Sequence, residues 1–205
     1  MTNPMAIIIL AAGEGTRMRS TLPKVLHPVC GKSMIGHAID AARALSPANI
    51  MVVTSPAQES VREYVAGFDG HVTTCIQKKP QGTGDAVRAG LEGLADFGGP
   101  VVIAYGDMPL ITPAVLKAVF DALPKSGDGL SVLGFQVTGD HAYGRLVQEP
   151  DGALARIVEA RDASEYERAI TLCNSGLMAA SSAALLSQLV ARLDTDNAKG
   201  EYYLT

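Results

Sequence analysis

The sequence predicts an α/β fold: a mostly parallel sheet flanked by helices, with a smaller second lobe. Two patterns predict it. Up to Leu123, continuous apolar runs alternate with amphipathic stretches in the order βαβαβα, the order that gives a parallel sheet with crossover helices. After Gly129 the runs become shorter, half-polar strands joined by Gly/Asp turns. A chain of 205 residues that is 47% hydrophobic and 19% charged can bury one large core, so one domain with two lobes is expected.

Each element has its own signal. Met5–Leu10 (MAIIIL) is a continuous apolar run, which needs cover on both faces and so reads as a buried strand. A loop rich in Gly, Thr, Arg and Pro follows, through Pro28. Met34–Leu45 carries Ile35, Ala38, Ile39, Ala42 and Leu45 at helical spacing. Asn49–Thr54 is a second strand, Ala57–Ala66 a helix and His71–Ile76 a third strand. Asp85–Ala95 is a helix that Asp85 is expected to cap. Val101–Tyr105 (VVIAY) is a fourth buried strand, and Thr112 followed by Pro113 opens a helix through Leu123. In the second half, Leu130–Val137, Gly144–Gln148, Ala153–Val158 and Thr171–Ala179 read as strands and Ser182–Leu193 as a helix.

Composition narrows the function. The net charge of −4 and the absence of Trp argue against backbone-driven nucleic-acid binding and against large stacking platforms. Cys30, Cys75 and Cys173 lie far apart, with no CxxC and no Cys/His cluster, which fits buried free thiols in a reducing compartment. The longest apolar run is too short to span a bilayer, and Met1–Pro4 lacks a basic start, so a cytoplasmic chain with no membrane partner is expected.

Four segments carry chemistry. Leu10–Lys24 (LAAGEGTRMRSTLPK) runs from a strand into a loop holding Gly13, Gly15, Arg17 and Lys24. Ligands of open α/β sheets sit beyond the carboxyl ends of the strands, where glycines let backbone N–H groups approach an anion and Arg and Lys suit phosphate. Neither GxxxxGK[ST] nor GxGxxG is present, since Met18 stands where the third Gly would be. In QGTGDA (Gln81–Ala86), Gly82 and Gly84 expose backbone before a helix, where a base could be read with help from Gln77 or Thr83; alone it reads equally as a plain loop. In YGDMPL (Tyr105–Leu110), Asp107 stands at the carboxyl end of a buried strand, and one carboxylate is enough to anchor Mg²⁺ when phosphates and waters complete the octahedron. In the second half, Glu159 and Asn174 can hydrogen-bond sugar hydroxyls and Gly144 can let a backbone N–H reach a substituent. No Ser/His/Asp or Cys/His nucleophile set is apparent.

LAAGEGTRMRSTLPKVLHPVCGK resembles the signature of the sugar-nucleotide pyrophosphorylases, a nucleotidyltransferase family. With QGTGDA, YGDMPL, AYGRLV, IVEARDA, NSGLMA and NAKGEYYLT in the same order, the chain is similar to the branch that uridylylates N-acetylglucosamine 1-phosphate. The resemblance implies a Rossmann-like fold with a sugar-binding lobe. It implies Mg²⁺-dependent joining of UTP and N-acetylglucosamine 1-phosphate to UDP-N-acetylglucosamine and pyrophosphate, feeding cell-wall and lipopolysaccharide precursors. By the same resemblance, Leu10, Ala11, Ala12 and Gly13 line the nucleotide site, while Gln77, Gly82 and Thr83 read uracil. Arg17 and Lys24 hold the triphosphate, Tyr105 and Gly106 flank the metal ligand Asp107, and Gly144, Glu159 and Asn174 bind the aminosugar. Residues 1–205 are then expected to be the nucleotidyltransferase domain without its C-terminal end, where the family's second metal ligand, an Asn, lies. They are expected to lack the hexapeptide-repeat acetyltransferase domain as well. Asp85 stands where the family usually has His, and is expected to face away from the triphosphate as a helix cap. Two alternatives stay open: a piece that holds the UDP-sugar without turnover, and a sibling enzyme for another sugar 1-phosphate.

Overall fold

The first strand, β1 (Ala6–Leu10), is buried along its whole length, and its side chains alternate between two cores. Ile7 and Ile9 face one helical layer, Ile8 and Leu10 the other. This is why the run shows no polar alternation: both faces of a central parallel strand are dry. The computed structural model describes residues 4–15, 18–139, 141–195, 197 and 199–204.

Around β1 lie β4 (Asn49–Thr54) and β6 (Val101–Tyr105), both parallel to it, and β5 (Val72–Ile76) extends the sheet beyond β4. One face is covered by α1 (Met34–Arg43), α2 (Glu59–Ala66) and α4 (Pro113–Asp121), through Ile35, Ile39, Val61, Val65 and Leu116. The other is covered by α3 (Thr83–Gly93) and α6 (Ala183–Val190), through Val87, Leu91, Leu186 and Val190. Each of these large side chains contributes roughly 1.5–3 kcal/mol by leaving water. Two of the later helices carry side-chain caps: Thr112 Oγ1 accepts from Val115 N at 3.3 Å, and Ser182 Oγ from Leu185 N at 3.1 Å.

The second half is built on β10 (Leu172–Ala180), antiparallel to β6. Its last residues pair with β6 on one edge and with β7 (Leu130–Gln136) on the other. Its first residues pair with β7 and with β8 (Arg145–Gln148), which continues as a hairpin into β9 (Leu154–Val158). The register of β10 shifts between Asn174 and Met178 around Gly176, whose φ is +86°. A bulge there lets one strand serve both lobes of an eight-stranded mixed sheet.

Three elements depart from the sequence reading. A short hairpin, β2 (Pro28–Val29) and β3 (Lys32–Ser33), follows a 3₁₀ turn at Lys24–Leu26, and its turn leaves the Cys30 thiol exposed rather than buried as expected, while Cys75 is half-buried and Cys173 buried. A one-turn helix, α5 (Glu165–Arg168), follows β9. Helix α3 begins at Thr83, two residues earlier than expected, and Asp85 is not its cap. Gly82, at φ +103°, turns the chain into the helix; the N–H of Gly84 donates to the carbonyl of Tyr202 at 2.8 Å, so a distant segment supplies the acceptor.

The helix α5 pins the smaller lobe. Glu167 accepts from Arg156 of β9 at 2.6 Å and from Ser164 N and Oγ at 2.8 and 2.7 Å. Arg156, then these Ser164 bonds, hold the Glu167 carboxyl down to about 2, below its usual 4.5. The unfolded chain therefore binds this proton first, so the stabilisation is full above pH 4.5 and is lost as pH falls towards 2. Thermal melts over that window should drop more steeply for wild type than for Glu167→Gln; parallel slopes would remove Glu167 from the acid response.

Candidate active site

The carboxyl ends of β1 and β6 open onto a cleft of about 640 Å³. Its floor is the turn after β1: Ala11 N donates to Val53 O, and Gly106 N to Leu10 O, both at 2.9 Å. Leu10, Ala11, Ala12 and Gly13 line the cleft, whereas Gly106 does not. A Cβ on Gly106 would stand 3.3 Å from Ala11 Cβ and 3.4 Å from Val25 Cγ1, so its role is close packing under the loop. Arg17 lies outside the described residues.

Lys24 returns to the cleft because the loop passes close over it. Gly15 has φ +62°, and a Cβ there would fall 2.6 Å from Lys24 Cβ. Lys24 Nζ meets Asp107 Oδ2 at 2.5 Å, each side chain about one third exposed (34% and 31%). The turn after β1 is also tied down by Gln58, which is buried, donates Nε2 to Gly13 O at 3.2 Å and accepts from Ser55 N at 2.8 Å. Nothing in the sequence pointed to Gln58.

Gln77, Gly82 and Thr83 line a second part of the same cleft. Gln77 is buried directly after β5 and donates Nε2 to Gly82 O at 3.1 Å and to Asp85 Oδ2 at 2.8 Å. The Tyr105 ring packs where a Gly176 Cβ would fall 2.6 Å away. Burial, with Glu159 and Asp107 adding negative charge, pushes its hydroxyl up to about 12, so Tyr105 stays neutral.

Gly144, Glu159 and Asn174 come from separate segments and meet. Asn174 N donates to Gly144 O at 2.8 Å, and a Cβ on Gly144 would lie 3.2 Å from Glu159 Oε1. Glu159 and Asn174 face the cleft, and Gly144 stands behind them. Asn174 Oδ1 accepts from Gly176 N at 2.8 Å, which turns the amide NH₂ away from the bulge. Burial raises the Glu159 carboxyl and Asp162 adds to this, while Lys199 opposes it. The sequence reading gave no roles to Arg161, Lys199, Glu201, Tyr203 and Leu204, which also line the cleft. The last three belong to a strap that crosses the start of α3: Tyr202 N donates to Gln81 O at 2.8 Å and Leu204 N to Thr83 Oγ1 at 3.2 Å.

Among the described residues, no group of three or more His, Cys, Asp or Glu side chains is gathered, and no helix is long and apolar enough to cross a membrane.

Comparisons with known proteins agree with this architecture. The bifunctional protein GlmU of Rhodospirillum rubrum is 48% identical over 201 residues, covering 98% of this chain and 44% of that protein. The bifunctional protein GlmU of Thermobifida fusca is 43% identical over 208 residues, 100% of this chain and 43% of that one. The chain thus spans less than half the length of these curated relatives. A crystal structure of UDP-glucose pyrophosphorylase complexed with UDP-glucose superimposes with a TM-score of 0.74 at 17% identity, over 98% of this chain and 84% of that one, which shows the Rossmann-like nucleotidyltransferase fold. The profile of the MobA-like NTP transferase domain matches residues 7–197. With its mixed sheet built on a parallel half, the turn after β1 and the Lys24–Asp107 pair at the sheet's carboxyl edge, the chain belongs to the MobA-like NTP transferase domain family.

Proposed function

We propose that this chain is the uridylyltransferase part of a longer cytoplasmic protein, joining UTP and N-acetylglucosamine 1-phosphate to UDP-N-acetylglucosamine and pyrophosphate. One observation carries the reading. A single cleft holds the Lys24–Asp107 pair, the Gln77, Gly82 and Thr83 group, and Glu159 with Asn174. The likeness to the GlmU proteins over nearly the whole chain supports it.

The chemistry needs no protein nucleophile. A sugar-phosphate oxygen forms the new bond to the UTP α-phosphorus as the α–β bridge breaks, and pyrophosphate carries away the bonding electrons. The protein's task is alignment and neutralisation of charge. Lys24, now paired with Asp107, would move its ammonium onto phosphate oxygens. Asp107 is a hard oxygen donor facing the cleft from the end of β6, which fits Mg²⁺ completed by phosphates and waters. When bound, Mg²⁺ supplies charge neutralisation at the phosphate oxygens. Glu159 and the Asn174 amide would bind sugar hydroxyls and the acetamido group.

The test is pyrophosphate release from UTP with each sugar phosphate in Mg²⁺ buffer. The expected result is turnover with N-acetylglucosamine 1-phosphate and a kcat/KM about 10²-fold lower for unacetylated glucosamine 1-phosphate, whose lost acetyl leaves pocket groups unpaired. Equal rates would remove Gly144, Glu159 and Asn174 from sugar recognition.

A further inference from the structure

The amide of Gln77 can point only one way. Both of its N–H groups are spent on atoms that only accept, the carbonyl of Gly82 at 3.1 Å and the carboxylate of Asp85 at 2.8 Å. Turning the amide over would set Oε1 against two oxygens and break both bonds. Gln77 is 5% exposed and lines the cleft, and no described residue donates to its Oε1. Asp85 is itself held. Its Oδ1 lies 3.5 Å from Arg88 Nη1, and the Arg88 guanidinium stacks on the Tyr202 ring at 5.0 Å and donates to Val190 O at 3.4 Å.

We infer that Asp85 is a positioning residue for base selectivity: by fixing the Gln77 amide it presents an acceptor, Oε1, to the base edge. This rests on the reading that the cleft takes a nucleoside triphosphate with Gln77 at the base. An acceptor in that place matches the ring N–H of a uracil. It opposes the unprotonated ring nitrogen of a cytosine, which is also an acceptor. The carboxylate that stood out in QGTGDA thus acts through Gln77 and touches neither phosphate nor sugar.

The test compares kcat/KM for UTP and CTP in wild type, Asp85→Ala and Asp85→Asn. Ala is a good helix former in the first turn of α3, so D85A should fold. D85A should lower the UTP-over-CTP ratio by roughly tenfold, the worth of one hydrogen bond to a charged group, with the UTP KM rising more than kcat falls. D85N keeps an acceptor oxygen and should restore the ratio to within about threefold of wild type. A D85A enzyme that loses activity equally with both nucleotides overturns the inference and leaves Asp85 a structural residue. If wild type releases no pyrophosphate from UTP, the proposed reaction fails by itself. Calorimetric binding of UMP against CMP then decides on Asp85: a preference for UMP that D85A loses supports the inference, and the same preference in both proteins overturns it.

Discussion

Asp107→Asn should lower kcat by roughly 10²–10³-fold, the scale of removing one preorganised charge-stabilising group, with little change in folding or in metal-free binding of UDP-N-acetylglucosamine. The substitution keeps the shape and removes the charge that pairs with Lys24 and that, on the proposed reading, would attract a hard cation. The carboxylate sits in the turn just past β6, where Gly106 N is bonded to Leu10 O at 2.9 Å. The ion pair with Lys24 is about one third exposed on each side, so its loss should cost stability at most ~1 kcal/mol. On the proposed reading the groups that would contact base and sugar are untouched, so metal-free affinity should stay within a few fold. Pyrophosphate release against Mg²⁺ concentration, beside calorimetry without metal, separates the two effects. Wild-type Mg²⁺-dependent turnover in D107N would return Asp107 to a turn-stabilising role.

Most of the sheet was legible because its signal is crude. MAIIIL, the IMVV within NIMVVT and VVIAY are short, β-branched apolar runs, which suit strands covered on both faces. The hairpin at Pro28–Ser33 was not legible by periodicity, since each strand has two residues. Its turn signal is Cys30 and Gly31, both at positive φ. Helix α5 was missed although Ser164 and Glu167 stand at capping-box spacing, and the structure shows the box formed. Asp85 was read as a cap because an acidic residue before a periodic run usually is one; the actual acceptor comes from Tyr202, more than a hundred residues away in sequence. The same distance hid the strap. The meeting of Gly144, Glu159 and Asn174 was equally invisible to spacing: their side-chain and backbone chemistry suggested sugar contacts, but that they come together depends on strands far apart in sequence, with β10 shifting register around Gly176.

Gly82→Ala should uncouple that strap and cost roughly 10²-fold in kcat/KM, on the scale of misplacing a bound substrate by about an ångström. Two independent strains meet at this position. The φ of +103° is open to glycine and strained for alanine. A Cβ would also stand 2.4 Å from Tyr202 O and 3.0 Å from Tyr202 C and N, all backbone atoms that no side-chain rotation can move. The cheapest relief is for residues 201–204 to lift away, breaking the bonds from Tyr202 N to Gln81 O and from Gly84 N to Tyr202 O, each 2.8 Å. Tyr203 and Leu204 would then leave the cleft wall, and the Gly82 carbonyl that anchors Gln77 would shift with them. Chymotrypsin should cut at Tyr202 or Tyr203 faster in the variant, and the same lifting should raise the UTP KM. Gly98→Ala is the control, since a Cβ there meets nothing within 4 Å, and it should match wild type in both assays. If G82A is cut no faster than wild type and keeps its kcat/KM, the strap is not part of the working site, and the cleft is complete without residues 201–204.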